Sequence, residues 1–102
     1  MNAELYLKKA VLQLSKGDFD KAAENLKLVV DLQEDDIVSK VKAHCILGEY
    51  CFVQQNYEEA AMHLEWILGR SDELEEEWDD LLDDEIYRAD VLWDLMERFS
   101  LK

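Results

Sequence analysis

The side chains best able to do chemistry are two histidines and two cysteines, His44, Cys45, Cys51 and His63. His44 and Cys45 are neighbours, and neighbouring side chains on a helix point about 100° apart, so they cannot form a nucleophile–base pair. His44 and Cys51 share a helix face but lie about 10 Å apart along the axis, too far for a catalytic dyad. His63 forms an ordinary i, i+4 pair with Glu59, which we expect on the surface.

Metal and cofactor sites are not expected either. A zinc site needs four well-placed ligands, and two histidines with two cysteines at these spacings do not supply them. The sequence lacks an Asp-x-Asp-x-Asp-Gly calcium loop, and a rigid helix cannot wrap carboxylates around an ion. Glycine-rich phosphate-binding loops are also missing. The sequence therefore predicts a protein that is not an enzyme and that binds no metal and no cofactor.

The cysteines also indicate a compartment. Cys45 and Cys51 are six residues apart on one predicted helix, roughly 9 Å, which is beyond disulfide reach. Free buried thiols are typical of a reducing environment. The N-terminus has no basic segment followed by an apolar run, and no stretch approaches the apolar length that spans a bilayer. We therefore expect a cytoplasmic protein.

Chain breakers are rare, which favours long helices. The 102 residues contain no proline and only three glycines, so the sequence predicts an all-α fold of about five helices joined by short turns. Apolar residues at spacings of three and four mark these helices. We expect Gly17 to adopt a left-handed C-terminal cap and Gly48 to mark a close approach of two helices. The predicted helices are residues 3–15, 19–32 and 37–54, a fourth helix that begins near Asn56 and stops at Gly69, and one uninterrupted helix over 72–99. The predicted N-caps are Asp18, Asp36, Asn56 and Ser71.

Two helical hairpins match each other along the chain. Residues 17–23 align with 55–61, so that an aromatic residue opens the second helix of each hairpin and small alanines follow it. This pattern resembles the tetratricopeptide repeat, a 34-residue helix-turn-helix unit. Ala10 and Gly48 stand at the family's small position on the first helix. Trp78 and Leu81 fall on the opening Trp-x-x-Leu positions of a further unit.

The resemblance implies antiparallel helix-turn-helix repeats in a right-handed superhelical stack. It gives one domain over residues 1–102, with a first repeat at about 3–36, a second at about 41–74 and an acidic capping helix at about 72–99. The sequence departs from the family at Lys9, where leucine is usual, and at Glu34 and Leu74, which replace a closing proline. A generic bundle of antiparallel helices therefore remains the alternative.

In this family the first helix of each repeat lines a concave groove that holds a segment of a partner. The carboxylate clamp of some members is missing, because Leu7, Val11 and Ile46 stand at its key positions. Most of the corresponding residues are apolar, which suits a hydrophobic helix or extended peptide. The C-terminal helix either covers this surface or leaves it open. The implied groove residues are Glu4, Leu7, Lys8, Val11, Leu14, Lys42, Cys45, Ile46, Glu49, Phe52 and Val53.

Charge is strongly unbalanced. Eleven basic residues against twenty-five acidic ones give a formal net charge of −14, which disfavours nucleic acids and anionic membranes as partners. Acidic residues concentrate between residues 72 and 85. They form either a solvated helix face or a docking surface for a basic protein. The candidate acidic docking face comprises Glu73, Glu76, Glu77, Asp80, Asp83 and Asp84.

These observations favour a protein–protein interaction module, an adaptor or scaffold that holds a peptide or helix of a partner. A small acidic chaperone for a secretion or assembly component is an alternative. A structural homodimer and an acidic mimic of nucleic acid are two others.

Overall fold

The protein is described by a computed structural model over residues 2–33 and 35–102, with Asp79 described by its backbone alone. Every regular element in these ranges is helical, which confirms the predicted all-α fold. None of the helices in the described ranges combines the length and apolarity needed to cross a bilayer. The helices are α1 (Ala3–Ser15), α2 (Phe19–Asp31), α3 (Ile37–Val53), α4 (Tyr57–Leu68) and α5 (Ser71–Arg98).

Helix α5 is broken at Trp78, where φ is −131° and ψ is 25°. The break divides α5 into two segments and gives six helical segments in the described chain. The prediction of one uninterrupted helix was therefore wrong at this residue. Two physical effects favour a break here: Trp78 is half-buried against the core, and the clustered carboxylates around it repel one another along a helix.

The turns that close the two hairpins have the same backbone geometry. After α1, Gly17 has φ of 79°, and the Asp18 N–H donates to the Gln13 carbonyl at 2.9 Å. After α3, Gln55 has φ of 63°, and the Asn56 N–H donates to the Cys51 carbonyl at 2.9 Å. Both are left-handed helix ends with a six-to-one hydrogen bond. The Gly17 cap is confirmed, whereas nothing in the sequence singled out Gln55.

The predicted N-caps had mixed outcomes. Asp36 caps α3, since its Oδ1 accepts from the Ser39 N–H at 3.1 Å. Asn56 caps α4 by accepting from the Glu59 N–H at 3.4 Å. Asp18 occupies the N-cap position of α2 without a side-chain capping bond. Ser71 is not a cap but the first residue of α5, because Arg70 occupies the preceding position.

Two hydrophobic clusters share α3. The first lies between α1, α2 and one side of α3, and the second lies between α3, α4 and α5. A helix that is buried on two sides in this way carries apolar residues around most of its circumference. This position makes α3 the element that holds the two hairpins together. Its residues in the first cluster are Ala43 and Leu47, and those in the second are Val41, Cys45 and Cys51.

Helices α3 and α4 are in close contact at Gly48. A Cβ atom added to Gly48 would lie 2.8 Å from Leu64 Cδ2 and 3.6 Å from His63 Cβ. A side chain at this position would force Leu64 to shift, so glycine allows the two helices to approach closely. The expectation that this mid-helix glycine marks a close helix–helix approach is confirmed.

The contacts across each pair also fix the helix directions. His44 lies against Trp66 while Cys51 lies against Glu59, so α3 and α4 are antiparallel. Between α3 and α5, in contrast, Lys42 pairs with Glu85. Glu49, further along α3, pairs with Arg88, which is further along α5. The C-terminal segment of α5 therefore runs parallel to α3.

Candidate functional site

The residues implied for the groove divide by their exposure. Leu7 and Cys45 are buried, and they contribute to the face only where they line a pocket between the helices. Phe52 is half-buried and packs edge-on against Tyr57, with ring centroids 5.6 Å apart. The remaining groove residues have exposed or half-exposed side chains: Glu4, Lys8, Val11 and Val53 are exposed, and Leu14, Lys42, Ile46 and Glu49 are half-buried.

Helix α5 forms one wall of this surface but does not cover it. In the described chain, α5 packs against α3 and α4, whereas towards α1 it forms the opposite wall of a pocket. The surface formed by α1 and α3 is therefore open to solvent on the α1 side. We call the surface formed by α1, α3 and α5 the α1–α3–α5 face.

An apolar depression of about 390 Å³ lies where α1, the start of α2 and the end of α3 meet. Val53 is 75% exposed and Phe19 53% exposed at this point. The Tyr50 hydroxyl donates to Asp20 Oδ1 at 3.1 Å, which fixes the phenol ring at the edge. Phe19 and Tyr50 were not among the residues implied by the resemblance. We call this surface the open apolar patch: Leu14, Phe19, Ile46, Tyr50 and Val53.

A smaller pocket of about 170 Å³ lies between α1, α3 and α5 and has a polar wall. Lys42 Nζ donates to Glu85 Oε2 at 3.1 Å. The other carboxylate oxygen, Oε1, is buried without a hydrogen-bond partner in the part of the chain that the structure describes. A buried oxygen without a hydrogen-bond partner is energetically costly, and a donor that reached it would relieve that cost. Glu85 was predicted only as part of the acidic run, and its burial could not be deduced from that run.

The six residues of the candidate acidic docking face are all exposed. Asp84 accepts a hydrogen bond from Arg88 at 3.1 Å, within the same helix. The face is thus available to solvent and to a partner alike, and both interpretations of it stay open.

Cys51, Glu59 and His63 come together between α3 and α4. The Cys51 thiol donates to Glu59 Oε2 at 3.2 Å. One ligand atom from each of the three residues lies within 4.8 Å of the others. His63 is only 7% exposed, so the expectation of a surface histidine was wrong: α3 covers it.

His44 is attached to this cluster through His63. The Nδ1 atoms of the two imidazoles lie 3.0 Å apart, so one ring donates a hydrogen bond to the other. His44 also stacks on Trp66, with ring centroids 4.1 Å apart. The Arg70 guanidinium covers the Trp66 ring at 4.2 Å. This stack holds His44, and through it His63, in a fixed orientation.

Burial determines the protonation of the cluster. It raises the pKa of the Cys51 thiol to about 12, and the hydrogen bond to Glu59 contributes in the same direction. Burial lowers the pKa of His44 to about 3, helped by the nearby His63 and by the positive charge of Arg70, and it also lowers the pKa of His63. At neutral pH the cluster therefore contains a protonated thiol, which is a poor nucleophile, and two neutral imidazoles.

This cluster was missed at the level of sequence, because histidines and cysteines were compared along single helices and Glu59 was not considered as a ligand. Glu59 and His63 are one turn apart on α4, and Cys51 comes from the end of α3. The useful signal was the short connection between two antiparallel helices, which brings residues near the turn together.

Comparison with protein-family models, with curated proteins and with solved structures found no match to this chain.

Proposed function

We propose that the protein is a tetratricopeptide-like interaction module whose α1–α3–α5 face, together with the adjoining open apolar patch, holds an apolar segment of another protein with basic flanks. The observation that carries this proposal is the open apolar patch. Exposed Phe19 and Val53 border a depression of about 390 Å³ that no helix of the described chain fills. Contiguous apolar surface around a groove is typical of sites that bind a helix or an extended peptide.

The repeat interpretation is supported by the packing order. Helices α1, α2 and α3 contact one another pairwise, and α3, α4 and α5 do the same. Ala22 and Ala60, at equivalent positions after the turns, are both fully buried. In this interpretation α5 takes the place of the first helix of a third repeat. The interval from Phe19 to Tyr57 is 38 residues, longer than the roughly 34 of the family. Helix α3 accommodates the extra length, because it has 17 residues where α1 has 13.

The negative charge of the protein is the reason why we propose basic residues on either side of the partner's apolar segment. The net charge of −14 favours a basic partner and steers it to the protein at low ionic strength. Glu85 Oε1 offers a buried acceptor beside the apolar patch. A lysine or arginine of the partner, inserted into the 170 Å³ pocket, would satisfy that oxygen. A reducing, cytoplasmic location fits the two free cysteines.

Peptide selection tests the proposal even while the partner is unidentified. The wild-type chain is used to select from a displayed random-peptide library, and the bound peptides are mapped by amide chemical shifts. Peptides with apolar residues three and four apart and a nearby lysine or arginine are expected. Val53→Glu should weaken their binding at least about tenfold. Met62→Glu is the matched control, because Met62 is 62% exposed on α4 and should leave binding unchanged.

Two outcomes would contradict this function. One is a set of selected peptides whose shifts map to α4 and to the part of α2 beyond Phe19. The other is equal loss of binding in Val53→Glu and Met62→Glu. Sedimentation of the free chain examines the homodimer alternative: a dimer that Val53→Glu converts to monomer would assign the patch to a second copy instead.

A further inference from the structure

We propose that Cys51, Glu59 and His63 form a zinc-binding site that joins α3 to α4 beside the second hairpin turn. The site lies between the two helices rather than on the α1–α3–α5 face, so this proposal is independent of the proposed function. Its basis is geometric: a sulfur, a carboxylate oxygen and an imidazole nitrogen converge from two helices within 4.8 Å.

The distances fit a tetrahedral ion. Zinc takes thiolate sulfur at about 2.3 Å, imidazole nitrogen at about 2.0–2.1 Å and carboxylate oxygen at about 2.0–2.2 Å. Ligand atoms at the corners of such a tetrahedron are roughly 3.3–3.7 Å apart. Cys51 Sγ and Glu59 Oε2 are already 3.2 Å apart. All three ligand atoms lie within 4.8 Å of one another, so an ion would draw them together by about 1 Å.

The donor set selects the metal class. Thiolate and imidazole ligands favour zinc and similar transition metals, whereas magnesium and calcium require oxygen ligands. Binding is balanced by the release of one proton to solvent, because the Cys51 thiol must become a thiolate while His63 binds as a neutral imidazole. Three protein ligands leave a fourth position for water.

His44 and the helix packing support the site from behind. A zinc-bound histidine usually has its second ring nitrogen hydrogen-bonded to a neighbouring group, which fixes the ring orientation. The 3.0 Å contact between the Nδ1 atoms of His44 and His63 provides such a partner when Nε2 of His63 is the ligand atom. Cys51 and His63 are also buried, so water competes little for their ligand atoms.

Metal titration of the full chain tests the proposal. Cobalt is the spectroscopic probe, because a thiolate ligand gives an intense charge-transfer absorption that oxygen and nitrogen ligands do not give. We expect saturation at one equivalent, displacement by zinc, and no competition from magnesium. Zinc should also raise the midpoint of thermal unfolding, since an ion that binds only the folded state stabilises it.

The variants identify the ligands. Cys51→Ser should abolish the charge-transfer band, and Glu59→Gln and His63→Gln should each weaken zinc binding by at least about tenfold. Cys45→Ser is the matched control: Cys45 is also a free, buried cysteine of α3 but lies outside the cluster. This variant should retain the band and the thermal shift. If Cys45→Ser does not fold by circular dichroism, Cys45→Ala replaces it.

Three results would overturn the proposal. They are the absence of saturable cobalt binding to the folded, reduced chain, a band that survives in Cys51→Ser, and equal loss of binding in Cys45→Ser and Cys51→Ser. Zinc bound through other surface carboxylates would show no thiolate band and no fixed stoichiometry.

Discussion

Arg88 of α5 binds both carboxylate oxygens of Glu49 on α3, with Nε 3.1 Å from Oε2 and the second bond from Nη2 to Oε1. The paired geometry requires a guanidinium, because a lysine ammonium cannot present two parallel N–H groups. The pair fixes the C-terminal segment of α5 along α3 and sets the far wall of the α1–α3–α5 face.

Arg88→Lys should therefore lower the free energy of unfolding by about 1 kcal/mol, measured by urea denaturation. Both side chains are about a third exposed, so a larger loss is not expected. Arg98→Lys is the control, because Arg98 pairs with Asp94 on the surface within α5. Equal effects of the two substitutions would show that the contact between α5 and α3 does not depend on the paired geometry.

Gly48→Ala should destabilise the protein by about 1–3 kcal/mol, although alanine is the better helix former by up to about 1 kcal/mol. The added methyl group would lie 2.8 Å from Leu64 Cδ2, so α3 and α4 must separate or Leu64 must change its rotamer. Urea unfolding with monitoring by circular dichroism measures the change. In a Leu64→Val background the cost of Gly48→Ala should be smaller. Additive effects in that double-mutant cycle would place the strain elsewhere.

Gln55→Gly should stabilise the protein by about 0.5–1 kcal/mol. Gln55 has φ of 63°, a conformation that costs a residue with a Cβ atom about 1–2 kcal/mol, and the greater freedom of glycine in the unfolded chain offsets part of the gain. Gln54→Gly is the control and should destabilise, since Gln54 has φ of −77°. Thermal unfolding of both variants checks the opposite signs, and a decrease in stability for Gln55→Gly would contradict the reasoning.

The fold was largely predictable from local patterns, whereas the candidate sites were not. The scarcity of glycine and proline and the apolar spacing located the helices, and Asp36 and Gly17 located two of their ends. Those signals act within a few residues. The break at Trp78 depends on tertiary burial, which local patterns do not contain.

The same limit applies to the sites. The burial of His63 and Glu85 depends on which helix packs over them, and this is a long-range property of the chain. The resemblance to tetratricopeptide repeats implied a binding surface on α1 and α3. Whether α5 covers that surface depends on how α5 packs beside α3, which the resemblance does not determine.

Cys45 should be nearly unreactive towards thiol reagents in the folded protein. Burial raises the pKa of its thiol to about 12, and the negative charge of Glu49 contributes in the same direction. In a Cys51→Ser background, which leaves Cys45 as the one thiol in the sequence, modification by a disulfide reagent at pH 8 should be at least about 100-fold slower than after unfolding in urea. A similar rate in both states would mean that the thiol is neither buried nor shifted.

The same shift predicts a loss of stability at alkaline pH. The folded-state pKa of Cys45 is raised above the unfolded value of 9.0, so the unfolded chain loses the proton first. The protonated Cys45 thiol makes its full contribution to the free energy of unfolding below pH 9. That contribution is lost as pH rises from 9 towards 12, by at most about 1.4 kcal/mol per pH unit. Urea midpoints of the Cys51→Ser protein at about pH 8 and about pH 10 measure this loss. A Cys45→Ala, Cys51→Ser double variant should show a smaller decrease over the same interval, because it lacks the titrating thiol.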